Sequence, residues 1–233
     1  MKHITLKEHM RHIDYIIVVA SLSLMTTGCW LYKPQLADVP LIEQKGDVRV
    51  AGSVYLYPAT GATATMSAGL TNHLALQLHT DYESRDVHYS HAALGLYRSL
   101  GKRVWEGYLG VGYGNGDVYI DAEAASARGP YFCGFAQFNY GWHLNEHSDI
   151  GLSMKAGRMF SCFRGVSRGY SFSENPFGPQ WNTLLEPQVF FRVGGECVKF
   201  QTQLGYTHMF PWPKDSVLRY VPLSFSMGIS ITL

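Results

Sequence analysis

Four residues with the side chains of a hydrolytic site lie close together in the first half of the chain. They are Asp81, His88, Ser90 and His91. A histidine paired with a carboxylate can activate a water molecule or a serine hydroxyl, as many hydrolases require. The spacing matches no diagnostic motif, and a polar segment can contain two histidines by chance. We therefore treat the four as weak catalytic candidates, which would serve an enzyme active on lipid A or on peptides.

Four cysteines offer a second kind of chemistry: Cys29, Cys133, Cys162 and Cys197. If the segments around 131–142 and 149–160 form a hairpin, Cys133 and Cys162 lie roughly opposite each other at its outer end. A disulfide is then a geometric candidate, and two buried free thiols are the alternative. The chain contains neither a CxxC motif nor the Cys/His spacing of a zinc site, so we predict no metal and no cofactor.

The first residues have the pattern of an export signal. Lys2, Lys7 and Arg11 precede an apolar run over 15–25. A membrane-spanning helix needs about 20 apolar residues, so this shorter run favours a cleaved signal peptide, predicted over 1–28.

Gly28 and Cys29 follow that run and match the end of a bacterial lipobox, in which the cysteine becomes acylated. Thr26 departs from the motif, since leucine usually stands three residues before the cysteine. We expect cleavage after Gly28 and lipidation of Cys29; an ordinary cleavage site with a free thiol is the alternative. Residues 29–46, interrupted by prolines, are predicted to form an extended lipidated tether.

From residue 47 to 233 apolar and polar residues alternate with the period of a β-strand. The last segment is the clearest: Leu223, Phe225, Met227 and Ile229 alternate with small polar residues. We predict one all-β domain with about ten strands, eight being the alternative, near 47–57, 61–71, 73–82, 88–99, 103–114, 131–142, 149–160, 184–193, 197–208 and 219–233.

Short connections alternate along the chain with longer ones, notably 115–130 and 161–183. Outer-membrane barrels have short periplasmic turns, longer extracellular loops and an even number of strands. Lipid offers no hydrogen bonds, so such a sheet must close on itself. The alternation of short and longer connections therefore predicts a closed up-and-down antiparallel transmembrane β-barrel.

The polar face of the predicted strands separates a membrane barrel from a soluble one. Charged residues make up only 16% of the chain, against about 25% in soluble domains. The predicted inward face is mainly Ser, Thr, Gly and Gln, and Gly110, Gly112, Gly114 and Gly116 would permit curvature or leave room for lumenal side chains. A charge network is expected to fill the lumen, because buried charges must be compensated; its members are Arg49, Asp81, Glu106, Lys155, Glu186, Arg192 and Lys199.

Several stretches of the sequence resemble a known group. They are Gly28-Cys29, the segment from Tyr32-Lys33-Pro34 to Val39-Pro40-Leu41, Lys45-Gly46-Asp47, and Gly69-Leu70-Thr71-Asn72-His73-Leu74. Together they resemble uncharacterised Bacteroidetes outer-membrane β-barrel lipoproteins. The resemblance implies the fold and the location, and it supplies no activity.

We expect an outer-membrane barrel lipoprotein with a structural or interaction role and a lumen filled by side chains. Its partners would be outer-membrane lipids and an envelope protein or small molecule at loops 115–130 and 161–183. The lipid anchor would lie in the periplasmic leaflet. The net charge of +1 gives no strong positive field that would attract nucleic acid. A rim-active enzyme and a soluble, lipocalin-like lipid-binding barrel of the periplasm are the alternatives, and the oligomeric state is open.

Overall fold

The computed structural model describes Tyr32 and residues 37–57, 61–83, 87–120, 125–167, 179–212 and 222–233. Within these ranges no helix is long and apolar enough to cross a membrane. The strands are β1 (Val48–Tyr57), β2 (Gly61–Gly69), β3 (Leu74–Glu83), β4 (His88–Leu100), β5 (Arg103–Ile120), β6 (Ala125–Asn145), β7 (Ser148–Ser161), β8 (Arg164–Ser167), β9 (Gln180–Gly194), β10 (Val198–Tyr206), β11 (His208–Trp212) and β12 (Leu223–Thr232).

The sheet closes into a barrel. Neighbouring strands pair antiparallel from β1 to β7, then β7 pairs with β9 and β9 with β10. β12 pairs with β10 on one side and with β1 on the other, so no edge remains. β11 continues the line of β10 along β9, and β8 adds a short strand to β6. The result is a closed antiparallel barrel of ten strands, which confirms the predicted fold class.

The outer face of the barrel is apolar. On β5, Leu109 and Val111 are 72% and 71% exposed, and similar residues continue around the circumference. The residues between them point inward and are largely polar, as transmembrane barrels require. On β6 the exposed rings of Phe132 and Trp142 stand ten residues apart, about 25 Å along the barrel axis, close to the height of an outer-membrane apolar band.

One end of the barrel has tight connections at 70–73, 101–102, 146–147 and 195–197, and we call it the short-turn end. The opposite end, called the long-connection end, contains the links between β7 and β9 and between β11 and β12. There β5 and β6 pair up to Ile120 and Ala125, although the sequence suggested a loop over 115–130. Residues 115–120 and 125–130 are therefore strand, and the hairpin extends beyond its neighbours.

The lumen is packed with aromatic rings beside small residues. A Cβ atom at Gly112 would lie 2.1 Å from Tyr89 Oη, and one at Gly114 would lie 2.4 Å from Tyr131 Cζ. Tyr89 and Tyr131 are buried and stack with their centroids 5.9 Å apart. These glycines leave room for lumenal side chains, one of the two roles expected for them.

Candidate functional site: the occupied lumen

A stretch of the chain itself occupies the interior of the barrel. Residues 37–42, called the lumenal segment, have no regular secondary structure and are buried throughout. They belong to the region that the sequence predicted as an extended tether between lipid and fold. Nothing in the sequence pattern indicated that this region would lie inside the barrel.

The centre of the lumenal segment is held through the main chain of Asp38. Its carbonyl oxygen accepts hydrogen bonds from Gln77 Nε2 at 3.0 Å, from Gln137 Nε2 at 2.8 Å and from Asn139 Nδ2 at 3.4 Å. Its carboxylate accepts one from Ser67 Oγ at 2.7 Å. A buried carbonyl without regular structure needs such partners; β3 and β6 supply them, and β2 supplies the partner of the carboxylate.

Two buried arginines bind the next residues of the segment. Arg49 Nη1 donates to the carbonyl oxygens of Val39, at 3.0 Å, and Pro40, at 2.6 Å. Arg192 Nη2 also donates to the Val39 carbonyl oxygen. Both guanidinium groups approach the side-chain oxygen of Gln201. Among the described residues, the two cations therefore bind main-chain and amide oxygens rather than carboxylates.

Side chains of the wall also satisfy both ends of the segment. The Ala37 N–H donates to Gln188 Oε1 at 2.7 Å, and the Ala37 carbonyl accepts from Gln203 Nε2 at 3.1 Å. The Ile42 N–H donates to Glu106 Oε1 at 2.9 Å. One small cavity between the segment and the wall of β1, β2, β3 and β10 has a volume of about 10 Å³, roughly that of one water probe.

The seven residues expected to form a lumenal charge network all belong to the inward-facing set, with Lys199 half-buried. Lys155 and Glu186 approach each other at 3.8 Å across neighbouring strands. Much of the remaining charge binds other partners: Asp81 accepts from Tyr55 Oη at 2.6 Å, and Arg49, Arg192 and Glu106 bind the lumenal segment. The expected charge network is thus only partly made of ion pairs, because the lumenal segment supplies main-chain partners to several of its members.

A cavity of about 970 Å³ opens at the short-turn end, below the lumenal segment. On its wall Asp149 binds His143 at 2.8 Å and Lys199 at 3.0 Å. Glu43, which follows the segment, lies 3.1 Å from the other nitrogen of His143. The His143 imidazole holds the pKa of the Glu43 carboxyl below its usual range. Both signs of charge line this cavity, so it has no single preference for anions or cations.

The candidate catalytic residues do not form one site. Alternation along β3 and β4 places Asp81 and His91 in the lumen, whereas His88 and Ser90 lie on the exposed outer face. Ser90 Oγ lies 2.9 Å from Thr80 Oγ1 on that outer face. The sequence reasoning failed here because residues an odd number of positions apart on a strand point to opposite faces.

A G-x-S-x-G pattern, which the sequence reasoning overlooked, occupies residues 165–169. It begins inside β8, which pairs with β6. In the hydrolase motif the serine stands between a strand and a helix; Ser167 ends β8, and residues 168 and 169 lie outside the described residues.

Cys133 and Cys162 are free thiols in this structure. Cys133 pairs in register with Met159, while the Cys162 N–H donates to the Pro130 carbonyl, so the two cysteines are offset by three positions. The hairpin does not set them opposite each other as the sequence suggested. Gly28 and Cys29 lie outside the described residues, and no cluster of three metal-ligating side chains occurs within the described ranges.

Comparison with known proteins adds little beyond this geometry. No protein-family model matches the chain, and no curated protein does. Similar solved structures include the outer membrane protein Omp33 of Acinetobacter baumannii, with 7% identity and a TM-score of 0.38 over 82% of this chain and 100% of that chain. Another is OmpT, an outer membrane protein of Vibrio cholerae, with 8% identity and a TM-score of 0.24 over 81% and 96%. At these sequence identities and TM-scores, any assignment of function rests on the structure of this chain.

Proposed function

We propose that this protein is an outer-membrane β-barrel with a structural or interaction role, closed to free diffusion by its own N-terminal segment. The lumenal segment carries the proposal. Three donors converge on the Asp38 carbonyl, and Arg49 and Arg192 bind the next residues. An open pore would expose the polar wall to water, whereas here that wall binds the chain.

The apolar outer face supports a membrane location. A soluble barrel presents charged residues to water, whereas this one presents Leu109, Val111 and their neighbours around the circumference. This surface argues against the soluble carrier. The separation of His88 and Ser90 from Asp81 and His91 removes the specific basis for a rim enzyme.

Interaction would take place at the hairpin of β5 and β6. β4 pairs with β5 only as far as Asn115, and β7 pairs with β6 only as far as Tyr131. The remaining residues of the hairpin, together with β8, continue past the ends of β4 and β7. A projecting sheet offers backbone hydrogen-bonding groups to an envelope protein, and we place the partner site there and on 161–183.

Export and anchoring complete the proposal. The Cys29 thiol would be acylated and a signal peptide over 1–28 removed by cleavage after Gly28, as in the Bacteroidetes lipoproteins that the sequence resembles. Two acyl chains give stable attachment where one does not.

Reconstitution in a planar lipid bilayer tests the closed lumen. We expect the purified, folded protein to give no steady conductance, while a known porin in the same bilayer conducts. The matched variant is Arg49→Ala combined with Arg192→Ala, which removes donors to the lumenal segment and should produce intermittent opening. Steady conductance by the unaltered protein would refute the closed lumen.

A further inference from the structure

The N-terminal part of the chain runs through the lumen in a defined direction. The Tyr32 hydroxyl donates to Glu186 at 3.0 Å, and the Tyr32 ring lies 5.8 Å from that of Tyr131. Tyr131 pairs with Ser161, the last residue of β7 at the long-connection end. Ile42 instead binds Glu106, close to the start of β5 at the short-turn end. The chain thus passes from the long-connection end toward the short-turn end.

The chain reverses direction only after this passage. Gly46 has a φ of +94°, a conformation that favours glycine, and its N–H donates to the Gly69 carbonyl. β1 then begins at Val48 and runs back along the wall. The lumen below Tyr32 is already occupied by residues 37–42, so it has little room for a second pass of the chain.

The available length also excludes a return to the short-turn end. Glu186 stands eight residues before Gly194, the end of β9, which corresponds to about 20 Å along the barrel axis. The three residues from Tyr32 back to Cys29 span at most about 10 Å. Cys29 therefore cannot reach the short-turn rim while Tyr32 keeps its contacts. The long-connection rim is within reach, because the Tyr32 ring lies beside Tyr131, which is level with Gln180 at the start of β9.

We infer that the chain preceding Tyr32 leaves the lumen at the long-connection end. In the outer membrane that end faces the cell exterior, so the processed N-terminus is presented at the cell surface. A lipid on Cys29 then inserts from the outer side, which replaces our expectation of an anchor in the periplasmic leaflet. This inference rests on the outer-membrane function proposed above.

Site-specific proteolysis on intact bacteria tests the inference. A protease recognition site with flexible Gly-Ser spacers is inserted between Leu31 and Tyr32 of the full chain. The matched control has the same insert between Glu146 and His147, in a turn at the short-turn end. We expect protease added to intact cells to cut the first insert, and to cut the control only after the outer membrane is permeabilised.

Two outcomes overturn the inference. In one, the Leu31 insert is cut only after permeabilisation. In the other, it resists cleavage in both conditions although denatured protein is cut, even with a longer spacer that lets a site held within the lumen reach past the rim. Folding is checked separately by gel mobility with and without heating. If the unaltered protein lacks the heat-dependent shift, or is found outside the membrane fraction, the proposed function itself is contradicted.

Discussion

Replacing Glu106 with leucine should loosen the lumenal segment without removing the barrel. Glu106 is 1% exposed and accepts hydrogen bonds from the Ile42 N–H and from Asn139 Nδ2, each at 2.9 Å. Leucine has a similar size and accepts no hydrogen bond. Both donors would then be buried without this partner.

The expected loss of docking free energy follows from those two bonds. Each buried polar group left unpaired costs about 1 to 3 kcal/mol. The apolar contacts of leucine and the removal of a buried carboxylate offset about 1 to 2 kcal/mol. From the middle of each range we expect a net loss of about 2.5 kcal/mol in the docking of the segment, which raises its undocked population roughly 70-fold.

Thiol labelling measures that population. Val39, 1% exposed in the folded protein, is changed to cysteine in a chain whose other cysteines are serine. Reaction with a maleimide should be slow in this background and faster by the stated factor when Glu106→Leu is added. Glu106→Gln serves as the control because it keeps an oxygen that accepts the Ile42 N–H, so its labelling should rise much less.

Equal labelling rates in the glutamate, glutamine and leucine proteins would refute the reasoning. That result would mean that the contact with Ile42 does not hold the segment in place. Loss of the heat-dependent gel shift in Glu106→Leu alone would show instead that the residue stabilises the whole barrel.

Three further predictions concern packing, pH and acylation. Gly112→Ala should destabilise the barrel by about 1 to 3 kcal/mol in urea titrations, because the new Cβ would meet Tyr89; Gly107→Ala, with nothing within 4 Å, should be close to neutral. The lowered pKa of Glu43 means that its contribution to stability, at most about 1 kcal/mol for a half-exposed pair, is present above the ordinary glutamate pKa. That contribution is lost as the pH falls through the lowered pKa. In the same titrations, Glu43→Gln should therefore be less stable than the parent only at the higher pH. Cys29→Ser should abolish incorporation of labelled palmitate while leaving the gel shift intact; persistent label would contradict acylation at that residue.

The fold was predictable because its signal is local. Apolar residues at every second position, such as Met227 and Ile229, must share a face, and the structure places both on the exposed outer side. Strand lengths were less predictable at the long-connection end. The continuation of β5 to Ile120 has little apolar periodicity, and pairing with β6 rather than burial in lipid extends it there.

The contents of the lumen were harder to predict because their signal is not local. The hydrogen bond from Gln137 to the Asp38 carbonyl joins residues 99 positions apart. Alternation indicates only that Gln137 points inward. A proline-containing stretch without periodicity is typical of a linker, and Val39 and Pro40 have no pattern of their own that marks a lumenal segment.

The composition of the wall explains why an irregular segment can occupy this lumen. Ten strands enclose a wider interior than the eight-stranded barrels that side chains can fill, so space remains for a stretch of backbone. That backbone presents N–H groups and carbonyls in no regular order. Side-chain amides can donate and accept without the desolvation cost of a buried charge, and the segment meets Gln77, Gln137, Gln188 and Gln203. In this chain, inward-facing glutamines on several strands therefore accompany an aperiodic stretch that lies inside the barrel, and together they account for residues 37–42 in the lumen.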